Sequence, residues 1–181
     1  MKKIFVHVIV LLYLSFVIGH VSLVKAAYVL PYPSYMPGNK LYTIGTLIDK
    51  IKGYWAFGTL AQTKYQMQLA DKYLVEAKTL FEYHQYLLAS SALARSDSAF
   101  STLPKLVHSA KTEGKSTVAI VNMISEEATE HTRILEIMKN SLPDVFTWSP
   151  EKAKSTELSL HDIVQTAIDL RASVSVDLKV L

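Results

Sequence analysis

Residues 121–142 read VNMISEEATEHTRILEIMKNSL. Val121, Ile124, Ala128, His131, Leu135, Met138 and Leu142 recur at intervals of 3, 4, 3, 4, 3 and 4. An α-helix turns once in about 3.6 residues, so these seven side chains form one stripe along a helix. The seam's average spacing of about 3.5 suits left-handed packing at crossing angles near +20°. A helix with one apolar stripe needs other helices to cover it, so the stretch predicts an all-α bundle. Ser116 is the expected N-cap, and Pro143 closes the helix.

The neighbouring stretches supply the partners. Leu41, Ile44, Ile48, Ile51 and Trp55 follow the same rule, with Asn39 as cap and Gly58 at a left-handed helix end. Leu60, Thr63, Met67, Ala70, Leu74, Ala77 and Phe81 mark a second helix over about Thr59 to Tyr83. Tyr83-His84-Gln85 predicts a tight turn. A third apolar face runs from Leu88 to Ala110 and contains Pro104, which predicts a break at Leu103, while Gly114 ends it. Residues 143–156 read as a linker with Pro143, Trp148 and Pro150. Residues 157–181 read as a weaker amphipathic helix on Leu160, Ile163, Ala167, Leu170 and Val174. Its β-branched end, VSVDLKVL, suggests fraying or pairing elsewhere, and no convincing strand is found.

The N-terminus has export chemistry. Lys2 and Lys3 precede an apolar run from Ile4 to Ile18, and Val24-Lys25-Ala26 offers a signal-peptidase site before Ala27. Residues 4–24 are also long enough, at about 20 positions, for an uncleaved anchor. Both alternatives stand, and both place the body outside the cytoplasm, secreted or in the envelope, because the lysines hold the N-terminus inside. The 19 basic and 16 acidic residues give +3, yet residues 1–26 hold three lysines and no acid. The body is therefore neutral, 16 against 16, which gives no support to nucleic-acid binding. The absence of cysteine excludes disulfides and zinc–thiolate sites.

Residues 27–39 are rich in proline and tyrosine and predict an extended segment. All ten tyrosines lie between positions 13 and 86. Tyr28, Tyr32, Tyr35 and Tyr42 read either as a strap with rings in a groove between helices or as an exposed strip binding peptide, sugar or protein.

Leu30-Pro31-Tyr32-Pro33, Met36-Pro37-Gly38-Asn39 and Leu41-Tyr42 resemble the opening LPYP-x-x-x-P-x-x-x-LY of an uncharacterised family of exported bacterial helical proteins, a domain of unknown function. Ile48-Asp49-Lys50-Ile51, Ala70 to Ala77, Tyr86 with Ala89, Ala92 and Leu93, Ser96-Asp97, and Glu113-Gly114-Lys115 also fit its pattern. The resemblance covers about residues 28–142 and implies a helical fold and an exported compartment, with no active site.

Candidate chemistry is sparse. Di-metal bundles use Glu-x-x-His, whose spacing puts both ligands on one inward face, and that motif does not occur here. Glu127 and His131, four apart, can share a face, and His84 could approach them, making a possible metal set; the competing reading is a core histidine bonded to tyrosine or glutamate. Asp71, Glu76, Glu82 and Asp97 read as solvated carboxylates. No catalytic residue, G-x-S-x-G or phosphate-binding glycine loop is identified. The expectation is an antiparallel bundle of about four long helices over residues 40–142, with the strap and an extra C-terminal helix. Its expected role is a non-enzymatic envelope or extracellular interaction module without a cofactor, its partner an envelope protein or polymer, and its membrane contact limited to the N-terminal segment. The alternative is a metal- or cofactor-binding bundle centred on His131 and His84.

Overall fold

A computed structural model describes residues 28–33, 35–37, 39–152 and 154–180. The export segment and its Ala26/Ala27 junction lie outside the described residues. Asn39 caps α1 (Lys40–Trp55), its side chain accepting from the Leu41 amide at 2.9 Å. Gly58 then turns the chain into α2 (Thr59–Glu82) with φ 87, a conformation glycine adopts without a Cβ penalty. The turn at Tyr83–Gln85 leads into α3 (Tyr86–Ser101). Pro104 stands at the start of α4 (Leu103–Thr112), where its missing N–H breaks no helical bond, so the break falls at Thr102. α5 (Val118–Ser141) starts after Thr117, which makes no side-chain cap, instead of after Ser116.

The stretch expected as a linker holds β1 (Val145–Trp148), and β2 (Thr156–Ser159) pairs with it antiparallel, Val145 facing Ser159 and Trp148 facing Thr156. Four-residue strands are too short to show a period, which is why the sequence predicts none. Phe146 packs on the Tyr86 ring at a centroid distance of 4.8 Å and ties the hairpin to the bundle. α6 (Leu160–Val180) begins at 160 and not at 157, and its β-branched end stays helical because Val174 and Leu178 are buried.

The core lies in two apolar clusters. One joins Leu74 and Phe81 of α2, Leu93 of α3, Leu135 of α5 and Val164 of α6. The other joins Met67 of α2, Phe100 of α3, Val107 of α4, Ile124 of α5 and Val174 of α6. The order in which each helix meets them makes α2 and α5 run one way and α3 and α6 the other, an up-down-up-down bundle. The fold is all-α, with this one small hairpin. The fourth bundle position differs from expectation. α1 buries no side chain, whereas α6 buries Leu160, Val164, Ala167, Arg171, Val174 and Leu178 at spacings of 4, 3, 4, 3 and 4. The C-terminal helix is thus a core element, and α1 stands outside the bundle.

Candidate functional site

Between the two apolar clusters each bundle helix contributes a polar group: Asp71 from α2, Ser96 from α3, Glu127 and His131 from α5, and Arg171 from α6. Glu127 and His131 are one helical turn apart and both are 0% exposed. Asp71 is 8% exposed and reaches across from α2. His131 Nε2 lies 2.8 Å from Asp71 Oδ1 and 3.8 Å from Glu127 Oε1. The Tyr28 hydroxyl donates to Asp71 Oδ2 at 2.5 Å, so the strap covers the outer side of the cluster. Arg171 donates through Nη1 to Asp97 and to the Ala167 carbonyl, and through Nη2 to Ser96 Oγ at 2.9 Å. Ser96 in turn donates to the Ala70 carbonyl at 2.8 Å. Phe100 lies against both the His131 ring and the Arg171 guanidinium.

The electrostatics are unusual for a helical core. Both carboxylate oxygens of Glu127, His131 Nδ1 and Arg171 Nε have no hydrogen-bond partner. Burial, with the charge of Asp71 adding to it and Arg171 opposing it, pushes the Glu127 carboxyl up to about 10, so at neutral pH it holds its proton. Burial holds His131 below the usual imidazole range despite its bond to Asp71, so the ring is neutral. Burial and the neighbouring carboxylates keep the Tyr28 phenol protonated.

The expected site residues divide. Glu127 and His131 come together. His84 does not join them: it occupies the α2–α3 turn at φ 57, is exposed, and its Nδ1 lies 2.9 Å from the Tyr86 hydroxyl. Asp71 takes the place assigned to His84, so the solvated reading of Asp71 is corrected. Glu76 is likewise buried, pairing with Arg95 at 2.7 Å and accepting from the Tyr42 hydroxyl at 2.9 Å. Asp97 holds Arg171, and Glu82 is exposed. Asp71 lies four residues after Met67 and three before Leu74, on the flank of the seam, and no local signal separates it from a flank position that meets water. Tyr28 and Tyr42 are bonded to buried acids, whereas Tyr32 is 97% and Tyr35 52% exposed.

A second feature lies outside the core. α1 touches the bundle through Asp49, which pairs with Lys72 and whose carbonyl accepts from the Tyr65 hydroxyl at 2.6 Å. Its Ile44, Leu47, Ile51, Tyr54 and Trp55, with Phe57 beyond, are between 42% and 83% exposed. An open groove of about 610 Å3 runs between α1, the strap and α2, lined by Tyr32, Tyr35, Ile48, Lys52 and Leu69, with Asp71 in its wall. Among the described residues no helix is long and apolar enough to cross a membrane.

A family model described as a domain of unknown function, DUF5667, matches residues 34–145. No curated protein matches the chain, and no solved structure does.

Proposed function

We propose, from the premise that the chain belongs to the DUF5667 family, a domain of unknown function, that it is an exported, non-enzymatic interaction module that binds an envelope protein or polymer. The observation that carries this is the open side of α1 and the groove beside it. A run of large apolar side chains left in water, rimmed by Lys40, Lys50 and Lys52, is the kind of patch that marks interaction sites. Tyr32 and Tyr35 extend it with rings that combine a large apolar body and a polar tip, the composition of interface centres. The bundle serves as the rigid frame. It fixes α1 through Asp49, Tyr42 and Arg95 while leaving the opposite face of the helix open. Export rests on the lysines and apolar run of residues 2–18.

Co-sedimentation of the purified protein with isolated cell envelopes and with peptidoglycan tests this. Tyr32→Ala/Tyr35→Ala and Leu47→Glu/Ile51→Glu alter exposed side chains, so both variants are expected to fold. Each should lower binding by about tenfold or more, as truncating central contacts does elsewhere. Binding equal to wild type in both variants, or no binding by the wild type to either material, would overturn the proposal.

A further inference from the structure

Glu127 is a group in this interior that its surroundings satisfy poorly: the Asp71 carboxylate beside it favours its protonated form and supplies no donor. It is fully buried, it stands one turn before His131, and neither of its oxygens has a partner. An unsatisfied buried polar atom keeps its full desolvation penalty, and a charged one a larger penalty, so native proteins rarely keep one without a counterpart. Arg171 does not supply it: its terminal nitrogens are engaged by Asp97, Ala167 and Ser96, and its Nε makes no hydrogen bond to Glu127 or to any other group. A single donor atom from each of Asp71, Glu127 and His131 falls within 4.8 Å of the others.

We propose that Asp71, Glu127 and His131 bind one divalent first-row transition-metal ion, with Tyr28 closing the site. Metal–ligand bonds of about 2.0–2.2 Å set neighbouring ligands of a tetrahedral ion about 3.4 Å apart. The pairs seen here, at 2.8 and 3.8 Å and none beyond 4.8 Å, straddle that value, so small side-chain rotations suffice. The ion gives Glu127 its missing partner. It also displaces the Glu127 proton, so that the Asp71 and Glu127 carboxylates become the counter-charge of a dication. One imidazole and two carboxylates, without sulfur, suit zinc, manganese or ferrous iron. They do not suit Cu(I), which prefers thiolates, and they are too few oxygens for calcium. Tyr28, donating to Asp71 Oδ2, leaves Oδ1 directed at the site and orients it, as hydrogen-bonded neighbours of metal ligands do. Asp71 also forms part of the groove wall, which gives an ion a way in once the Tyr28 hydroxyl swings aside.

The experiment strips the full protein with chelator and titrates it with Zn2+, Mn2+ and Co2+, with Mg2+ and Ca2+ as controls. The readouts are calorimetric stoichiometry, the visible spectrum of the Co2+ form and the shift in Tm. One ion per chain is expected, with Tm rising with metal concentration. Glu127→Gln and His131→Gln should weaken binding by about 100-fold or more, Tyr28→Phe by about 10- to 100-fold with stoichiometry kept. His161→Ala, which removes the partly exposed His161–Asp144 pair away from the cluster, should leave metal affinity and stoichiometry unchanged. Glu127→Gln is a neutral match for the protonated acid and so folds without metal; if His131→Gln does not, the Glu127→Gln titration and the wild-type Co2+ spectrum still decide. Full-strength binding by Glu127→Gln would overturn the proposal. So would the absence of any ion held more tightly by the wild type than by that variant.

Discussion

Glu127 links the chemistry of the core to pH. In the unfolded chain it ionises in the usual carboxylate range, and in the folded, metal-free protein only near 10. Between those values the folded state holds one more proton, so its stability falls as pH rises. His131 acts with the opposite sign and over a lower window. Its folded pKa is depressed, so stability rises with pH until the unfolded imidazole has titrated, near 6.5. Between about pH 7 and pH 9, below the range where the buried tyrosines begin to contribute, the Glu127 effect dominates. With chelator present, the Tm of the wild type is expected to drop relative to Glu127→Gln between about pH 7 and pH 9. Parallel thermal melts of the two proteins check this, and a constant difference would mean that Glu127 is already ionised in the folded state. Glu127 and His131 could be paired from the sequence because four residues make one helical turn. Asp71 could not be added to them, because nothing local distinguishes a flank position that meets another helix from one that meets water.

Two helices exchange the roles their patterns suggest. α1 has a regular apolar stripe and buries nothing, while α6 has a stripe interrupted by a charge and completes the core. The interrupting charge is Arg171, fully buried yet bonded to Asp97 and Ser96, so the position that weakens the hydrophobic pattern of α6 finds its counter-charge on α3. The energetic consequence is measurable by urea unfolding. Leu47→Ser on α1 removes a half-exposed side chain and should change stability by no more than about 0.5 kcal/mol. Leu135→Ala on α5 opens a cavity in a closed core and should cost about 2–5 kcal/mol. Equal costs would place α1 in the core after all. Pro104 shows the reverse situation, a local signal whose effect is local: the helix breaks within one residue of the place its sequence indicates.

At the scale of the whole molecule, the proposed envelope contact carries an expected electrostatic signature. The surplus of three positive charges belongs to residues 1–26, and the rest of the chain is neutral by count. Association with the envelope through the α1 groove should therefore depend on apolar contact more than on charge. Between about 50 and 200 mM salt, co-sedimentation is expected to fall by about twofold or less. A surface neutralising 6–10 phosphates would lose about 10³ or more over that range. A steep salt dependence would instead indicate that Lys50 and Lys52 carry the contact.

Local pattern specifies the helices, their seams and the turns between them, because helical hydrogen bonds span four residues and apolar period, proline and glycine act over the same distance. The sequence by itself also determined the neutral body and the apolar N-terminal segment, which are matters of count. Tertiary structure alone decided that α6 and not α1 fills the bundle, that residues 145–148 find a strand partner at 156–159, and that Asp71 meets a histidine 60 positions away. Each of these depends on free energy gained between distant segments. An amphipathic stripe states that a face can be buried, and only the packed molecule settles which faces are.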